Sequence, residues 1–423
     1  MGKLDISVEP ETKQNWFRAG LAAVNQAMFG YGSPVSMGVF RIFTGTLAFI
    51  NFAMIAVDFD AWFGERGYVP SRIGDRAVGD LVRINFLYGV SDDRITIAFY
   101  ALTMIAAVLT AFGLWSRVSS VVLAVGVITL HHRNILILHG GDTLLRMCCI
   151  YVALSPSGAA CSVDRLIRLW KGKELGAPAL VSLWPQRLVE YNIALLYFTS
   201  VWNKSFGSAW KGGYATYYPL NLHEFDRFWV PDFLQRQPFL MLTTYGTLAV
   251  ELAMATLVFY KPARRWVILS ALGLHAFIEY SMNIPLFEWV MVSTYIAFYE
   301  GEEITAWAKR MGQRLKRCAV TVFLPLGTGL HPERGAALKA TDAFGLVTYD
   351  TGREPTWSAQ TANGKPRAPL WASWSRSLGA WPLAIVPGIW RRMLFGAIEE
   401  NPVQNNGKAV TDGSPKLHAK SKR

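Results

Sequence analysis

The sequence has few charged residues. Only 17% of its 423 residues are Asp, Glu, Lys or Arg, whereas 52% are hydrophobic, and the mean hydropathy is +0.23. An average soluble domain carries about 25% charged residues. This composition therefore excludes an ordinary soluble domain of this length and favours a protein partly surrounded by lipid. Sixteen Trp and sixteen Tyr agree with that, because amphipathic rings collect at the level of the lipid headgroups.

Cysteine is scarce as well. The four cysteines are Cys148, Cys149, Cys161 and Cys318, with no CxxC pair and no Cys/His spacing typical of zinc sites. A disulfide framework is therefore excluded, and we expect no metal. Cys148 and Cys149 lie within an apolar run, where cysteine behaves as a small hydrophobic residue.

A dense basic cluster is also missing, although the net charge is +12 and the isoelectric point about 9.5. The basic residues lie between and after apolar runs, which is typical of membrane topology and not of nucleic-acid binding. We therefore expect a lipid bilayer as a partner and no nucleic acid.

No signal peptide is expected in the N-terminal segment, because residues 1–26 have mixed charge and no continuous apolar core. Insertion is expected to begin with the first spanning helix. Trp16, Phe17, Leu21 and Val24 recur at helical spacing, which predicts an amphipathic helix on the inner membrane surface. A solvated lead-in is the alternative.

Long apolar runs are abundant, and a spanning helix needs roughly twenty such residues. Eight segments qualify or nearly qualify: Met37–Val57, Ile95–Trp115, Val121–Leu138, Leu144–Leu154, Leu188–Trp202, Phe239–Tyr260, Trp266–Tyr280 and Leu286–Tyr299. The two short segments, from Leu144 and Leu188, are expected to extend into their polar flanks. The predicted fold is an all-α polytopic bundle of about eight transmembrane helices.

An even number of spans places both termini on one side, and the later basic loops make that side cytoplasmic. The first outer loop, with Arg66, Arg72, Arg76 and Arg83, runs against this rule. The predicted location is the inner (plasma) membrane, crossed several times.

After Tyr299 no run is long enough to cross again. Ala319–Leu324 and Leu346–Tyr349 are predicted strands and Glu333–Ala343 a predicted helix, so a small α/β domain is expected. The predicted divisions are an interfacial segment (1–35), a transmembrane domain (36–300), the α/β domain (301–400) and a basic, disordered tail (401–423) that leans on anionic lipid.

Ionisable side chains inside spanning helices cost roughly 2.5–3.5 kcal/mol each on insertion scales, so each needs a partner or a function. The densest group is His131, His132, Arg133, Asn134, His139, Asp142 and Arg146. Gly140 and Gly141 are predicted to form a tight reversal that brings these side chains to one cavity. The structural alternative is an ion pair between Arg133 and Asp142 that fastens two helices.

A second group surrounds Lys204, which directly follows an apolar helix; the other members are Tyr197, Trp202, Asn203, Trp210, Lys211, Tyr217 and Tyr218. Desolvation there would favour a neutral amine able to act as a base. Snorkelling of the lysine toward the headgroups is the alternative.

A third group is His275, Glu279 and Asn283, spaced to face one direction on a helix, with Glu288 beginning the next span. A proton relay and a simple His/Glu pair at a helix interface are the two open explanations.

These groups, in this order, resemble the HTTM family, the membrane domain shared with vitamin K-dependent gamma-carboxylases. The matching stretches are FRIFTG with DAWFGERGYVP, HHRNILILHGGDTLLR, YFTSVWNKSFGSAWKGGYATYY and HAFIEYSMNIPLFEW. The resemblance implies a lysine that deprotonates a reduced naphthoquinone. After oxygen adds, a strong base removes a proton from a substrate glutamate, which captures carbon dioxide.

On this resemblance the catalytic residues are Lys204 and His139, and His275 matches a histidine common in the family. Carboxylases of the family carry another lysine where this chain has Asn203. They also carry a large region outside the membrane, whereas the outer loops here are short, so the expected substrate is an unspecified peptide or lipid. The segments CAVTVFLPLGTG, FGLVTYD and SLGAWPLAIVPGIWR resemble a degenerate thioredoxin-like domain of the DCC type, without its CxxC.

The main hypothesis is a bacterial-type, quinol-dependent membrane enzyme that uses Lys204, with His139, Asp142 and Arg133 around it, in an outward-facing cavity. The alternatives are a non-catalytic transporter or binding module lined by the same residues, and an assembly factor acting through the C-terminal domain.

Overall fold

The computed structural model of the chain describes residues 16–77, 84–352, 358–361, 366–367, 392–394 and 396–400. The described residues form two compact units. The first contains those up to Arg165 together with Ala177–Thr305, and the second contains Leu166–Gly176 with the described residues from Ala306 onward.

Helices build the first unit. They are α1 (Trp16–Phe29), α2 (Val35–Ile55), α3 (Phe59–Phe63), α4 (Ser71–Ala77), α5 (Asp93–Phe112), α6 (Ser116–Arg133), α7 (Gly140–Leu154), α8 (Val163–Trp170), α9 (Trp184–Phe206), α10 (Ser208–Lys211), α11 (Tyr217–Leu220), α12 (Gln237–Thr256), α13 (Lys261–Ser281), α14 (Phe287–Thr294) and α15 (Gly301–Arg314), of which α8 and α15 continue into the second unit. Short 3₁₀ turns lie at Ala56–Asp58, Ser157–Ala159, His223–Phe225, Asp232–Gln235, Leu257–Phe259, Tyr295–Phe298 and Lys316–Cys318. Two short strands, β1 (Tyr31–Gly32) and β2 (Val181–Ser182), pair antiparallel.

Each of the eight apolar segments predicted from the sequence coincides with a helix: α2, α5, α6, α7, α9, α12, α13 and α14. Both short segments are longer than their apolar cores, as expected, because α7 begins at Gly140 and α9 runs from Trp184 to Phe206. Among the described residues, three helical stretches are long and apolar enough to cross a membrane: Val35–Phe63, Asp93–Phe112 and Gln237–Phe259. The count of eight spans stays a prediction.

Close helix packing in the first half of this unit depends on small residues. A Cβ atom on Gly45 of α2 would lie 2.5 Å from the backbone nitrogen of Ala111 in α5, and one on Gly126 of α6 would lie 2.3 Å from Oγ1 of Thr103. Glycine therefore lets these backbones approach, as is usual where lipid offers no hydrophobic drive for association. Phe40, Phe52 and Leu123 fill the core between these helices.

The second half of the unit is formed by α9, α12 and α13, with α9 packed on α12 and α12 on α13. Helix α14 packs against both halves, since it contacts α2 and α7 on one side and α13 on the other. Helix α14 thus contacts helices from both halves of the unit.

The second unit contains the predicted strand, helix and strand, with shifted ends. Strand β3 (Val320–Leu324) pairs parallel with β5 (Val347–Thr351), and α16 (Pro332–Ala340) lies between them in the sequence, as a parallel connection requires. The other strands are β4 (Thr328–Leu330), β6 (Ser358–Thr361), β7 (Pro366–Arg367) and β8 (Ile398–Glu400); the larger sheet has the order β5-β3-β6-β7, and β4 pairs with β8. The likeness to thioredoxin stays a prediction, and both SLGAWPLAIVPGIWR and the basic tail lie outside the described residues.

In the N-terminal helix α1, Leu21 and Val24 are exposed, as an interfacial helix requires, and its placement on the membrane surface stays a prediction.

Candidate functional site

A cavity of about 540 Å³ lies in the first unit, between the end of α9 and helices α12 and α13. One end holds the charged side chains of Lys204 and Glu251. Most of the remaining wall is apolar, with a few hydroxyl groups; its members include Leu242, Val250, Leu274, Phe277, Ile278 and Phe287. Its size and lining are those of a small-molecule site, where apolar walls surround a few placed polar groups.

Lys204 is held at the cavity by two contacts. Its Nζ donates to Oε1 of Glu251 on α12, and it lies 4.8 Å from the centre of the Trp210 ring. The Lys204 and Glu251 side chains are 24% and 10% exposed, so the pair is largely removed from solvent. These contacts fix the amine against α12, whereas a snorkelling lysine would extend along its own helix toward the headgroups.

The local chain path explains how Trp210 reaches this lysine. Helix α9 ends at Gly207, which is extended, and α10 begins at the next residue. A Cβ atom on Gly207 would lie 3.0 Å from Cδ1 of Trp210, so the turn leaves just enough room for the indole. A cation over an indole face is attracted by the ring quadrupole.

Glu251 was missed in the sequence analysis. It is the only ionisable residue within Phe239–Tyr260 apart from the phenols of Tyr245 and Tyr260, and a lone carboxylate in such a run is costly. The energetic cost of this lone carboxylate was the feature of the sequence that could have identified Glu251. Its Oε2 atom is buried and finds no hydrogen-bond partner in the part of the chain that the structure describes, so one acceptor of this carboxylate is unpartnered.

Arg133 and Asn134 have structural roles at the end of α6. The Arg133 guanidinium, fully buried, donates to the carbonyl of Val69 at 3.1 Å and to Glu65 at 3.2 Å. Asn134 donates to the carbonyl of Trp62 at 2.9 Å and ends the helix. The alternative of an ion pair between Arg133 and Asp142 is therefore wrong, because the acidic partner of Arg133 is Glu65. The bond from Asn134 also explains why α6 ends before the predicted Leu138.

His139 and Asp142 form the start of α7. Nδ1 of His139 accepts from the backbone of Gly141 at 3.0 Å, and Asp142 accepts from the backbone of His139 at 2.9 Å. Asn51 of α2 donates to Asp142 at 3.0 Å. Their contacts thus lie with α2 and α7, whereas those of Lys204 lie with α10 and α12. The predicted convergence of His139, Asp142 and Arg133 on Lys204 stays a prediction.

The remaining members of the first group are His131, His132 and Arg146. His131 is buried with its ring 6.0 Å from that of Phe52, and neither ring nitrogen has a hydrogen-bond partner among the described residues. Nδ1 of His132 lies 2.8 Å from the carbonyl of Ile84, and Arg146 is half-buried on α7.

His275 lies at the centre of a buried network that joins α9, α13 and α14. Its Nδ1 is hydrogen-bonded to Glu288, its Nε2 lies 2.8 Å from the hydroxyl of Tyr197, and that hydroxyl lies 2.5 Å from the hydroxyl of Tyr295. The alternative of a His/Glu pair at a helix interface is confirmed, with Glu288 as the acid. Phe287, which lines the cavity, lies 6.3 Å from the His275 ring.

Glu279 does not share this site. It is paired with Arg227 and accepts from the Trp289 indole at 3.3 Å. Because α13 ends at Ser281, Asn283 is outside the helix, so the predicted common face of His275, Glu279 and Asn283 is wrong.

Of the other predicted pocket residues, Trp210 lines the cavity, whereas Asn203 is exposed on α9. Tyr217 is 45% exposed on α11, although its neighbours Thr216 and Pro219 contribute to the wall.

Within the described part of the chain, no group of three His, Cys, Asp or Glu side chains is arranged to hold a metal ion.

A comparison with known protein families agrees with the family resemblance that the sequence motifs indicated. The model of the HTTM domain matches residues 32–302, which include every helix that forms the cavity. No curated protein matches the chain significantly, and neither does any solved structure. Because the match covers more than half of the sequence, the chain belongs to the HTTM family of membrane proteins.

Proposed function

We propose that this protein is a membrane enzyme that binds a reduced naphthoquinone in the cavity and uses Lys204 to remove a proton from it. The observation that carries the proposal is the pairing of Lys204 with Glu251 at the charged end of an otherwise mainly apolar cavity of about 540 Å³.

The residues present fit such a ligand. Apolar walls from α12 and α13 suit a fused aromatic ring, and Phe277 and Phe287 add aromatic surface. The unpartnered Oε2 atom of Glu251 offers a hydrogen-bond acceptor to a ring hydroxyl. The Lys204 amine offers a group that can carry the proton of that hydroxyl. When bound, a reduced naphthoquinone supplies an acidic hydroxyl and electrons that dioxygen can take.

Lys204 and Glu251 together can take up the proton that the ring hydroxyl loses. In the ion pair the ammonium already donates to Glu251, so transfer to that carboxylate leaves a neutral amine and a neutral acid. The neutral amine then accepts the hydroxyl proton, and the pair as a whole gains one proton. A low-dielectric site strengthens each of these interactions because water is largely excluded.

The test uses Lys204→Arg and Lys204→Ala in purified protein reconstituted into nanodiscs. Arginine keeps a cation beside Glu251 but cannot act as a base, because its pKa exceeds about 12. Protein-dependent oxygen uptake with a reduced naphthoquinone should fall at least tenfold in both variants, since a general base contributes about 10²–10⁴ in rate. The control is Lys211→Ala, which alters an exposed lysine on α10 and should leave the rate unchanged.

The outcomes separate the candidate functions. Full oxygen uptake in Lys204→Arg contradicts the proposal. Ligand retention, measured by mass spectrometry of the purified protein, with no uptake that depends on Lys204, assigns the cavity to a binding or transport module. The carboxylation of a peptide or lipid substrate is a later step and is tested separately.

A further inference from the structure

The wall of the cavity reaches the outer surface of the bundle between α12 and α13. Leu242 of α12 lines the cavity and is nevertheless 67% exposed, and Ser270 of α13 is likewise an exposed wall residue. Gly246 completes the wall on α12, and a Cβ atom placed on it would meet nothing within 4 Å. In a helix bundle within lipid, these exposed faces contact hydrocarbon.

A second segment of chain is attached near the rim of the cavity. Residues 221–236, called the strap here, are bonded to residues 279–283, of which Ser281 and Met282 line the cavity. The backbone nitrogen of Asn283 donates to the carbonyl of Phe225 at 2.6 Å, and Asp226 forms an isolated antiparallel bridge with Met282. Arg227 is also paired with Glu279. Met282 is itself a wall residue, so the strap is attached at the rim of the cavity.

We propose that the cavity opens sideways to the bilayer between α12 and α13, and that its ligand is an amphiphile dissolved in the membrane. The polar head lies at Lys204 and Glu251, and a hydrocarbon chain leaves past Leu242 and Gly246. The identity of the head rests on the proposed function, whereas the path of the chain does not. A water-soluble peptide does not match an opening with this apolar lining.

The test compares two naphthoquinones with the same ring, menadione, which has no chain, and a homologue with a chain of four isoprene units. Binding is measured in nanodiscs for Gly246→Phe and for Gly273→Phe. The second variant is a matched control, because Gly273 is a glycine on the exposed face of α13 and has no place in the cavity wall. A Cβ atom placed on Gly273 would also meet nothing within 4 Å.

Gly246→Phe should weaken binding of the long-chain compound at least tenfold and change that of menadione less than threefold. Gly273→Phe should change neither by more than threefold. Equal weakening of both compounds by Gly246→Phe, or an equal effect of the two variants, overturns the proposal. The smaller change Gly246→Ala should retain binding, which shows that a loss reflects obstruction and not misfolding.

A second measurement separates this inference from the proposed function. A fatty alcohol with a diazirine beside its hydroxyl group should label Glu251 on irradiation, and Gly246→Phe should reduce that labelling at least fivefold while Gly273→Phe leaves it intact. Failure of both naphthoquinones to bind, together with this labelling pattern, contradicts the quinone proposal and supports the lateral opening. Labelling of Glu251 by a water-soluble diazirine alone contradicts the lateral opening.

Discussion

Arg133 and Lys204 are both basic residues at the ends of apolar helices, and their partners give them different roles. Arg133 is fully buried and bonded to Glu65 and to two backbone carbonyls. Lys204 is partly exposed at a cavity, and one oxygen atom of its carboxylate partner, Glu251, has no hydrogen-bond partner among the described residues. The sequence identified both as costly but could not distinguish them, because both acidic partners lie far away along the chain.

At the residue scale, Arg133→Met should destabilise the protein. It leaves Glu65 without its cation, and loss of one partner of a buried pair costs roughly 3 kcal/mol. We expect a clear fall in the melting temperature of the detergent-solubilised protein. The double variant Glu65→Met with Arg133→Met should lose less than the single variant, since no charge is then left unpaired; a larger loss contradicts this explanation.

Tyr197→Phe tests the buried network. The change removes the hydroxyl that lies between His275 and Tyr295, and an unsatisfied buried group costs about 1–3 kcal/mol. Chemical unfolding should show a loss of that size. Tyr191→Phe provides the comparison on the same helix, because Tyr191 is 46% exposed and its replacement should cost less than about 0.5 kcal/mol.

At the scale of helices and strands, hydrophobic runs located the elements well. All eight apolar segments are helices, since a run of that length has few other ways to satisfy its backbone groups. The end of α6 was misplaced because an apolar stretch, Ile135–Leu138, follows Asn134 and continues the pattern beyond the helix. A hydropathy profile does not show that the Asn134 side chain donates to the carbonyl of Trp62 and ends the helix there.

The site was predicted less completely for a related reason. Lys204 and Trp210 are close in sequence, and both line the cavity. The partners of Lys204 and of His139 depend on how the helices pack, which no local pattern records. Contacts that form only through tertiary packing therefore cannot be identified from the sequence alone.

The connection between α5 and α6 gives a prediction about an element boundary. Gly113 has φ +67°, and a Cβ atom there would lie 1.6 Å from Nη1 of Arg41, a fully buried side chain. Gly113→Ala should thus cost more than the roughly 1–2 kcal/mol of a left-handed alanine. Gly89→Ala, at φ +71° with nothing within 4 Å, measures that backbone cost alone. Equal losses in thermal stability would show that Arg41 moves aside.

At the scale of the whole molecule, the predicted topology places Lys204 near the non-cytoplasmic surface. With eight spans and both termini inside, alkaline phosphatase fused after Asn221 should be active and a green fluorescent protein fused after Gly172 should fluoresce. The reversed pattern would invert the orientation, and two reporters on the same side would change the number of spans.

The exposed position of Leu242 at the cavity wall has a consequence for how the protein should be assayed. A cavity filled from the bilayer equilibrates with the mole fraction of its ligand in the lipid phase and not with a concentration in water. Adding empty lipid at constant total ligand would then lower saturation by surface dilution, even though nothing in the aqueous phase had changed.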